Sequence, residues 1–468
     1  MSDKDLSLMA HLMRRAGFGA PMEELEARAA KGYESTVEEL LRPEEQPDLE
    51  RDIMMRYKTE WVSQAGLEGQ QEEWTFRMIN TKRPLQEKIA LFWHGILPTG
   101  HAKCEYPRQQ QMELDMFRTV GMGNFRDLLL DLAKDPAMVF YLDNCMSHKG
   151  AINENWGREF LELFSLGVGM DGNFNYSEDD VKEAARAFTG WTVTNSVPRY
   201  PYGKYEAKFI YDPNDHDNDS KTFLGETGNL NGEDIINITV KQPGAARFIA
   251  RHMYNYFVAD EPQVPAWKDT PPRDPGAIKI LEDEYFRSNY DITSMLRVLF
   301  NSDFFKKARF TKIKSPAETV IGTIRLVGDY TFPKPGLDAL TLNIRYMGQD
   351  LLNPPTVEGW HTGREWIDSG TLVERINFTA DQVGNANHPG IKAIIKRVGG
   401  NGGTLTPEQL VDGCLENLGS YQMAQETQTQ LIELAGSEGE IRTDSERFPS
   451  QVTTMLQSIV ATTEYLFA

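Results

Sequence analysis

Three cysteines in 468 residues, Cys104, Cys145 and Cys414, are too few and too far apart to staple a fold. They form no CxxC pair, so a disulfide scaffold and a zinc module are both excluded, and each is expected as a small core residue. No stretch approaches the roughly 18 consecutive apolar residues that a spanning helix needs. Positive charge is also in short supply: 49 Lys and Arg stand against 69 Asp and Glu, a formal net charge of −20. A surface of that sign repels phosphate backbones and anionic membranes, which excludes nucleic acid as a partner. The first residues, MSDKDLSLMAHLMRR, contain no apolar core of a secretory leader. The expected location is therefore the cytoplasm, or outside it if a leader has been removed.

What is present is helical periodicity. Hydrophobic residues make up 40% of the chain, ordinary for a globular protein. Amphipathic spacing and proline or glycine boundaries predict helices over 6–16, 22–31, 71–80, 85–97, 112–121, 125–134 and 155–166. Later helices are predicted over 245–257, 275–288, 292–299, 317–327 and 337–347. Another starts at Ser369 or Thr371, and the last 60 residues hold two or three more. Residues 192–232 change character: β-branched, aromatic, Asp, Asn and Pro residues predict strands at 191–194, 207–211 and 221–224 among loops. The expected fold is mainly α, a compact multi-helix unit with a small β-hairpin insertion near 192–232. Its parts are an N-terminal helical portion (1–191), an insertion (192–240) and a C-terminal helical portion (241–468).

The densest chemistry lies in two adjacent runs, Asn153–Gly167 (NENWGREFLELFSLG) and Tyr176–Trp191 (YSEDDVKEAARAFTGW). In the first, Trp156, Phe160, Leu163 and Phe164 share an apolar face, and Glu154, Arg158 and Glu162 share the opposite one. Such i, i+4 spacing suits an ion-pair ladder worth about 0.3–0.5 kcal/mol per exposed pair. If that face instead looks into a cleft, two carboxylates near a cation can hold different pKa values and act as acid and base. In the second run, Ser177 is an N-cap followed by Glu178, Asp179 and Asp180, with Val181, Ala184, Ala185 and Phe188 facing inward.

With other segments these runs resemble the bacterial domain-of-unknown-function family 1800. The further matches are Ala10–Gly19 (AHLMRRAGFG), Phe92–His94 (FWH), Asp135–Met138 (DPAM), His216–Asp217 with Lys221–Gly225 (KTFLG), and Gly348–Trp360 (GQDLLNPPTVEGW). The resemblance spans the chain nearly end to end and implies a largely helical fold. It also implies an association with sulfatase-like proteins, beside which members are often found.

The leading functional expectation is a hydrolase acting on polysaccharide or oligosaccharide. Glu154, Glu159 and Glu162 would supply acid and base, and His94 and Asp180 would complete the catalytic set. Arg158, Arg186, His216, Asp217 and Lys221 would line the substrate pocket, with Trp191 and Trp360 as sugar platforms and Arg375 as an anion holder. Each has a plainer reading: a core histidine, a solvated charge, an aromatic filling the interior. The second expectation is a non-catalytic binding or assembly protein that partners a sulfatase-like protein, with the polar residues fixing helix packing. The third is calcium binding: Asp215, Asp217, Asp219 and Glu226 occupy positions 1, 3, 5 and 12 of a calcium loop, although Ser220 replaces its glycine. Glu358 and His361 form a single ExxH in an irregular segment, short of the two helical pairs of a di-iron bundle.

Overall fold

The structure, a computed structural model, describes residues 3–50, 66–104, 107–169, 173–194, 207–262, 264–400, 402–437 and 439–468. Pro198 and Pro201, in the loops expected between strands 191–194 and 207–211, lie outside them.

The protein is mainly α-helical. Helix starts follow local chemistry. Asn124 accepts from the Arg126 amide at 2.9 Å and opens helix Phe125–Lys134. Asp135 accepts from the Met138 amide at 3.1 Å ahead of Pro136, whose fixed φ suits the first turn of Pro136–Tyr141. Ser177 and Asp180 form a reciprocal capping box at helix Glu178–Ala187, as do Ser315 and Glu318 at Pro316–Val327.

Helix Asn155–Glu162 is shorter than expected. The Leu166 and Gly167 amides both turn back to the Leu161 carbonyl, at 3.0 and 3.1 Å, and Gly167 takes φ 71°. Among the helices of eight residues or more that lie outside the expected set are Tyr33–Leu40, Gly232–Thr239 and Pro389–Gly399. The second is opened by an Asn231–Asp234 capping box, so the β insertion ends earlier than 232.

Three two-stranded antiparallel sheets occur among the described residues. Trp191–Val193 pairs with Phe209–Tyr211, and Lys221–Phe223 pairs with Glu226–Gly228. Thr404–Leu405 pairs with Ile441–Arg442, a ladder the sequence pattern does not announce.

One hydrophobic cluster runs from Met9 to Tyr465. Helix Pro243–Phe257 packs on Pro275–Arg287, and Ser369–Gly384 packs on both Pro316–Val327 and Phe448–Val460. The run Ala10–Gly19 ties this core together. Arg14 donates to the Gly419 carbonyl at 2.6 Å, and Arg15 donates to the Phe257 carbonyl at 3.0 Å. Cys104 and Cys414 are buried, Cys145 half-buried, and all three are free thiols.

Two glycines set close approaches. A Cβ on Gly157 would meet the Val181 carbonyl at 2.9 Å, so only glycine lets helices Asn155–Glu162 and Glu178–Ala187 cross this closely. Gly359, at φ 88°, presses on the Gly95 carbonyl, where a Cβ would come within 2.0 Å. That contact fixes the turn carrying Trp360. Among the described residues, no helix is long and apolar enough to cross a membrane.

Candidate functional site

Three of the signature segments, Phe92–His94, Asn153–Gly167 and Gly348–Trp360, meet at an aromatic cleft of about 90 Å³. Phe92 and Gly95 of helix Pro84–Ile96 form its floor, and Leu163 borders it from the Asn153–Gly167 run. Tyr256, Trp267, Trp360 and Trp366 supply walls, while Lys312, Glu318, Gln349, Glu358 and His361 contribute the polar groups. The tryptophans are held rigidly. The Trp360 indole donates to the Asp350 carbonyl at 3.2 Å and meets the His94 ring edge-on at 5.3 Å. The Trp267 indole donates to the Pro262 carbonyl at 2.7 Å, and Arg251 lies 4.6 Å over its ring. Arg251 is anchored by Glu261 at 2.9 Å. Rigid aromatic faces beside a few polar groups suit a ligand with apolar faces and polar edges.

Glu159 is not itself part of the cleft lining, but Glu358, which is, acts on it electrostatically. Glu159 lies one helical turn before Leu163 on the same face. It is half-buried and makes no hydrogen bond or ion pair among the described residues. Burial, then the negative charges of Glu162 and Glu358, push its carboxyl up to about 7, and Arg158 offsets only part of this. Glu358 is the exposed acid of the Gly348–Trp360 run, so two signature segments nearly 200 residues apart meet electrostatically here. Glu162 accepts from the Tyr176 hydroxyl at 3.3 Å.

Other expected site residues are placed elsewhere. Arg158 pairs with Glu154 at 3.2 Å and grips Glu178 with two bonds of 3.0 and 2.9 Å. This group faces solvent, so the expected Glu154–Arg158 pairing forms but does not line the cleft. Asp180 is a structural tie, accepting the Ser177 amide at 2.8 Å and the Leu224 amide at 2.7 Å. Its carboxylate is therefore engaged in the helix cap, where it also accepts the Ser177 hydroxyl at 2.6 Å, and in holding the Leu224 strand end.

Arg186 is engaged by Asp217 at 2.7 Å and Glu183 at 2.9 Å, and Glu183 also accepts the Thr222 amide at 3.1 Å. His216 is buried against the Thr189 carbonyl at 2.9 Å. Trp191 is a core residue, stacked edge-on against Phe188 and Phe209 at 5.1 and 5.2 Å, rather than a sugar platform. Arg375 is buried and donates to the Lys314 carbonyl at 2.8 Å and the Thr319 hydroxyl at 3.1 Å. The picture of two helices turning all their ionised faces into one hollow is thereby corrected. Gly157 lets the helices cross closely enough for Arg158 to bridge to Glu178 on the solvent side, while Arg186 is engaged separately by Glu183 and Asp217.

His94 is also corrected. It is fully buried between Trp74 and Trp360, and burial holds its ring neutral, with the pKa pushed down to about 3. A ring that stays neutral throughout the physiological range does not shuttle protons to solvent-facing carboxylates. Its nearest ionisable neighbour is Glu113, 3.5 Å from Nδ1. Nothing in the spacing of the sequence marks that acid, because helix Pro107–Val120 reads as an ordinary amphipathic helix.

The acidic loop does not gather its ligands. Asp215 goes to His148 at 2.6 Å, and Asp217 goes to Arg186. Lys221 donates to the Asp217 carbonyl and, at 3.1 Å, to the Asp219 carbonyl. Its ammonium thus takes the loop oxygens that a cation would need, while Glu226 is exposed on a strand. Among the described residues, no three acidic, histidine or cysteine groups are arranged to hold a metal. Millimolar calcium is accordingly expected to leave the melting temperature unchanged. A saturating rise reversed by chelator would contradict this reading.

A search of curated proteins and a search of solved structures each find no match to the chain. A family model does match, from residue 11 to residue 467. That span takes in every cleft-lining segment, and the protein belongs to the family described as protein of unknown function (DUF1800).

Proposed function

We propose that the protein is a hydrolase of glycans acting at the tryptophan-walled cleft, with Glu159 as the proton donor. The observation that carries this reading is Glu159 itself, a carboxyl with no hydrogen-bond or ion-pair partner among the described residues, raised to about 7 and one helical turn from the cleft-lining Leu163. A general acid works best when its pKa lies near the operating pH, and a glycosidic oxygen must be protonated as its bond to carbon breaks. Trp360, Trp366 and Trp267, which are 5–6% exposed, give the cleft apolar walls, and Gln349, Lys312 and His361 offer polar atoms to hydroxyls. Glu162 and Glu358 flank the donor as the carboxylates available for the base.

The test is a panel of polysaccharides and oligosaccharides scored by product release. Glu159→Gln is expected to lower turnover by about 10²–10⁴-fold. Its melting temperature should hold, because no hydrogen bond of the side chain is lost. A variant that releases product at the wild-type rate would overturn the assignment.

The second reading keeps the cleft as a glycan-binding surface without turnover, in a protein that assists a sulfatase-like partner. It is favoured by the three tryptophans in the lining, Trp267, Trp360 and Trp366, which suit binding to a sugar without any chemistry. Wild-type binding with no product from any glycan would select it.

A further inference from the structure

A second cavity, of about 60 Å³, lies between helices Asp3–Arg15 and Pro316–Val327. Arg14, Lys314, Tyr421 and Tyr465 line it. Arg14 is 9% exposed and uses one amino group on the Gly419 carbonyl, while its Nε and Nη2 have no partner. Arg375, immediately behind, is 2% exposed and leaves its own Nε and Nη2 without partners. Lys314 Nζ makes no hydrogen bond among the described residues and rests 3.6 Å from the centre of the Tyr465 ring. The acid in the lining, Glu318, is committed to Arg15 and Lys88. Two basic side chains, Arg14 and Lys314, therefore share the cavity wall, with Arg375 behind Lys314, and the one acidic side chain in that wall is held by other partners, an arrangement that is costly unless a counter-charge enters.

We infer that this cavity binds a compact oxyanion of phosphate or sulfate size between Arg14 and Lys314. A cavity of this volume holds about four water-sized groups, which matches four oxygens on one centre. An arginine fork with free donors is the side chain best shaped for such a group. The Tyr421 hydroxyl, whose pKa burial pushes up to about 12, remains a donor. Burial, Arg14 and Arg375 also hold the Lys314 ammonium well below its usual range, and a bound anion would restore its charge. The half-buried Gly19, Ala20 and Leu326 leave an approach from solvent. The site is separate from the aromatic cleft, so it stands or falls independently of the proposed hydrolase.

The full chain should be melted in sodium phosphate, sodium sulfate and sodium chloride at matched ionic strength. Phosphate and sulfate are expected to raise the melting temperature by a few degrees more than chloride, in a saturating manner. Lys314→Met removes the charge and keeps the apolar stem. It should melt at or above the wild type in chloride and lose the oxyanion-specific rise. Equilibrium dialysis of the wild type against radiolabelled phosphate should retain one phosphate per chain, displaceable by sulfate. Equal shifts in all three salts, a full rise surviving in Lys314→Met, or no retained phosphate would each overturn the inference.

Discussion

Replacing Glu318 by glutamine is expected to destabilise the protein by about 3–5 kcal/mol, the range for breaking a buried ion pair by removing one partner. Glu318 lies beneath both cavities. One carboxylate oxygen receives Arg15 at 3.3 Å and the Lys88 ammonium, and the other accepts the Ser315 amide at 2.7 Å to close the helix cap. Burial alone would raise its pKa, but Lys88, Arg15 and Lys312 outweigh it and hold the carboxyl well below the usual range. Burial pushes Lys88 down to about 8, so its charge depends on this one acid. Glutamine keeps the shape and removes the charge, stranding two buried cations. Urea unfolding measures the loss. A change below about 1 kcal/mol would show that the cluster is far better solvated than its burial implies. Removing charge on both sides, with Lys88→Met beside Glu318→Leu, should cost less than the sum of the single changes.

Glu113 gives the second large effect, and it depends on pH. The residue is fully buried, accepts one hydrogen bond from Thr99 Oγ1 at 2.8 Å, and leaves Oε1 without a partner. Burial pushes its carboxyl up to about 8. The native state therefore binds a proton that the unfolded chain has released above its ordinary value of 4.5. Stability from this group is complete below pH 4.5 and falls as pH rises toward 8, the reverse of a salt-bridged carboxylate. The difference in unfolding free energy between wild type and Glu113→Gln should change by on the order of 4 kcal/mol across that window, with glutamine gaining at the alkaline end. Chemical denaturation of both proteins at a series of pH values measures it. A difference flat with pH would mean that the carboxyl is ionised and solvated in the fold.

Much of the architecture was legible. The inward face of Trp156 and Phe160, the Glu154–Arg158 spacing and the Ser177 cap all depend on residues within one or two helical turns. The same locality explains what stayed hidden. Arg158 finds Glu178 only because Gly157 allows two helices to cross, and Arg186 finds Asp217 only because strand Lys221–Phe223 packs beside its helix. The charge density that marks the signature runs thus reports mostly ion-pair clusters, and Glu159 differs from its neighbours through burial first and the nearby charges of Glu162 and Glu358 second. Its partner in raising the pKa, Glu358, and the wall residue Trp267 come from irregular segments whose position no periodicity encodes. Trp360 was identified as a site residue and Trp191 with it, yet only the first reaches the cleft. Both are aromatic residues following glycine, and the tertiary path of the chain decides between them.

The most direct test of the account is the ionisation of Glu159. Carbon-13 labelling of glutamate side chains, with Glu159→Gln to assign the resonance, should give a midpoint near pH 7 that moves when an oligosaccharide fills the cleft. A midpoint at the ordinary carboxylate value, near 4.5 and indifferent to any glycan, would contradict it.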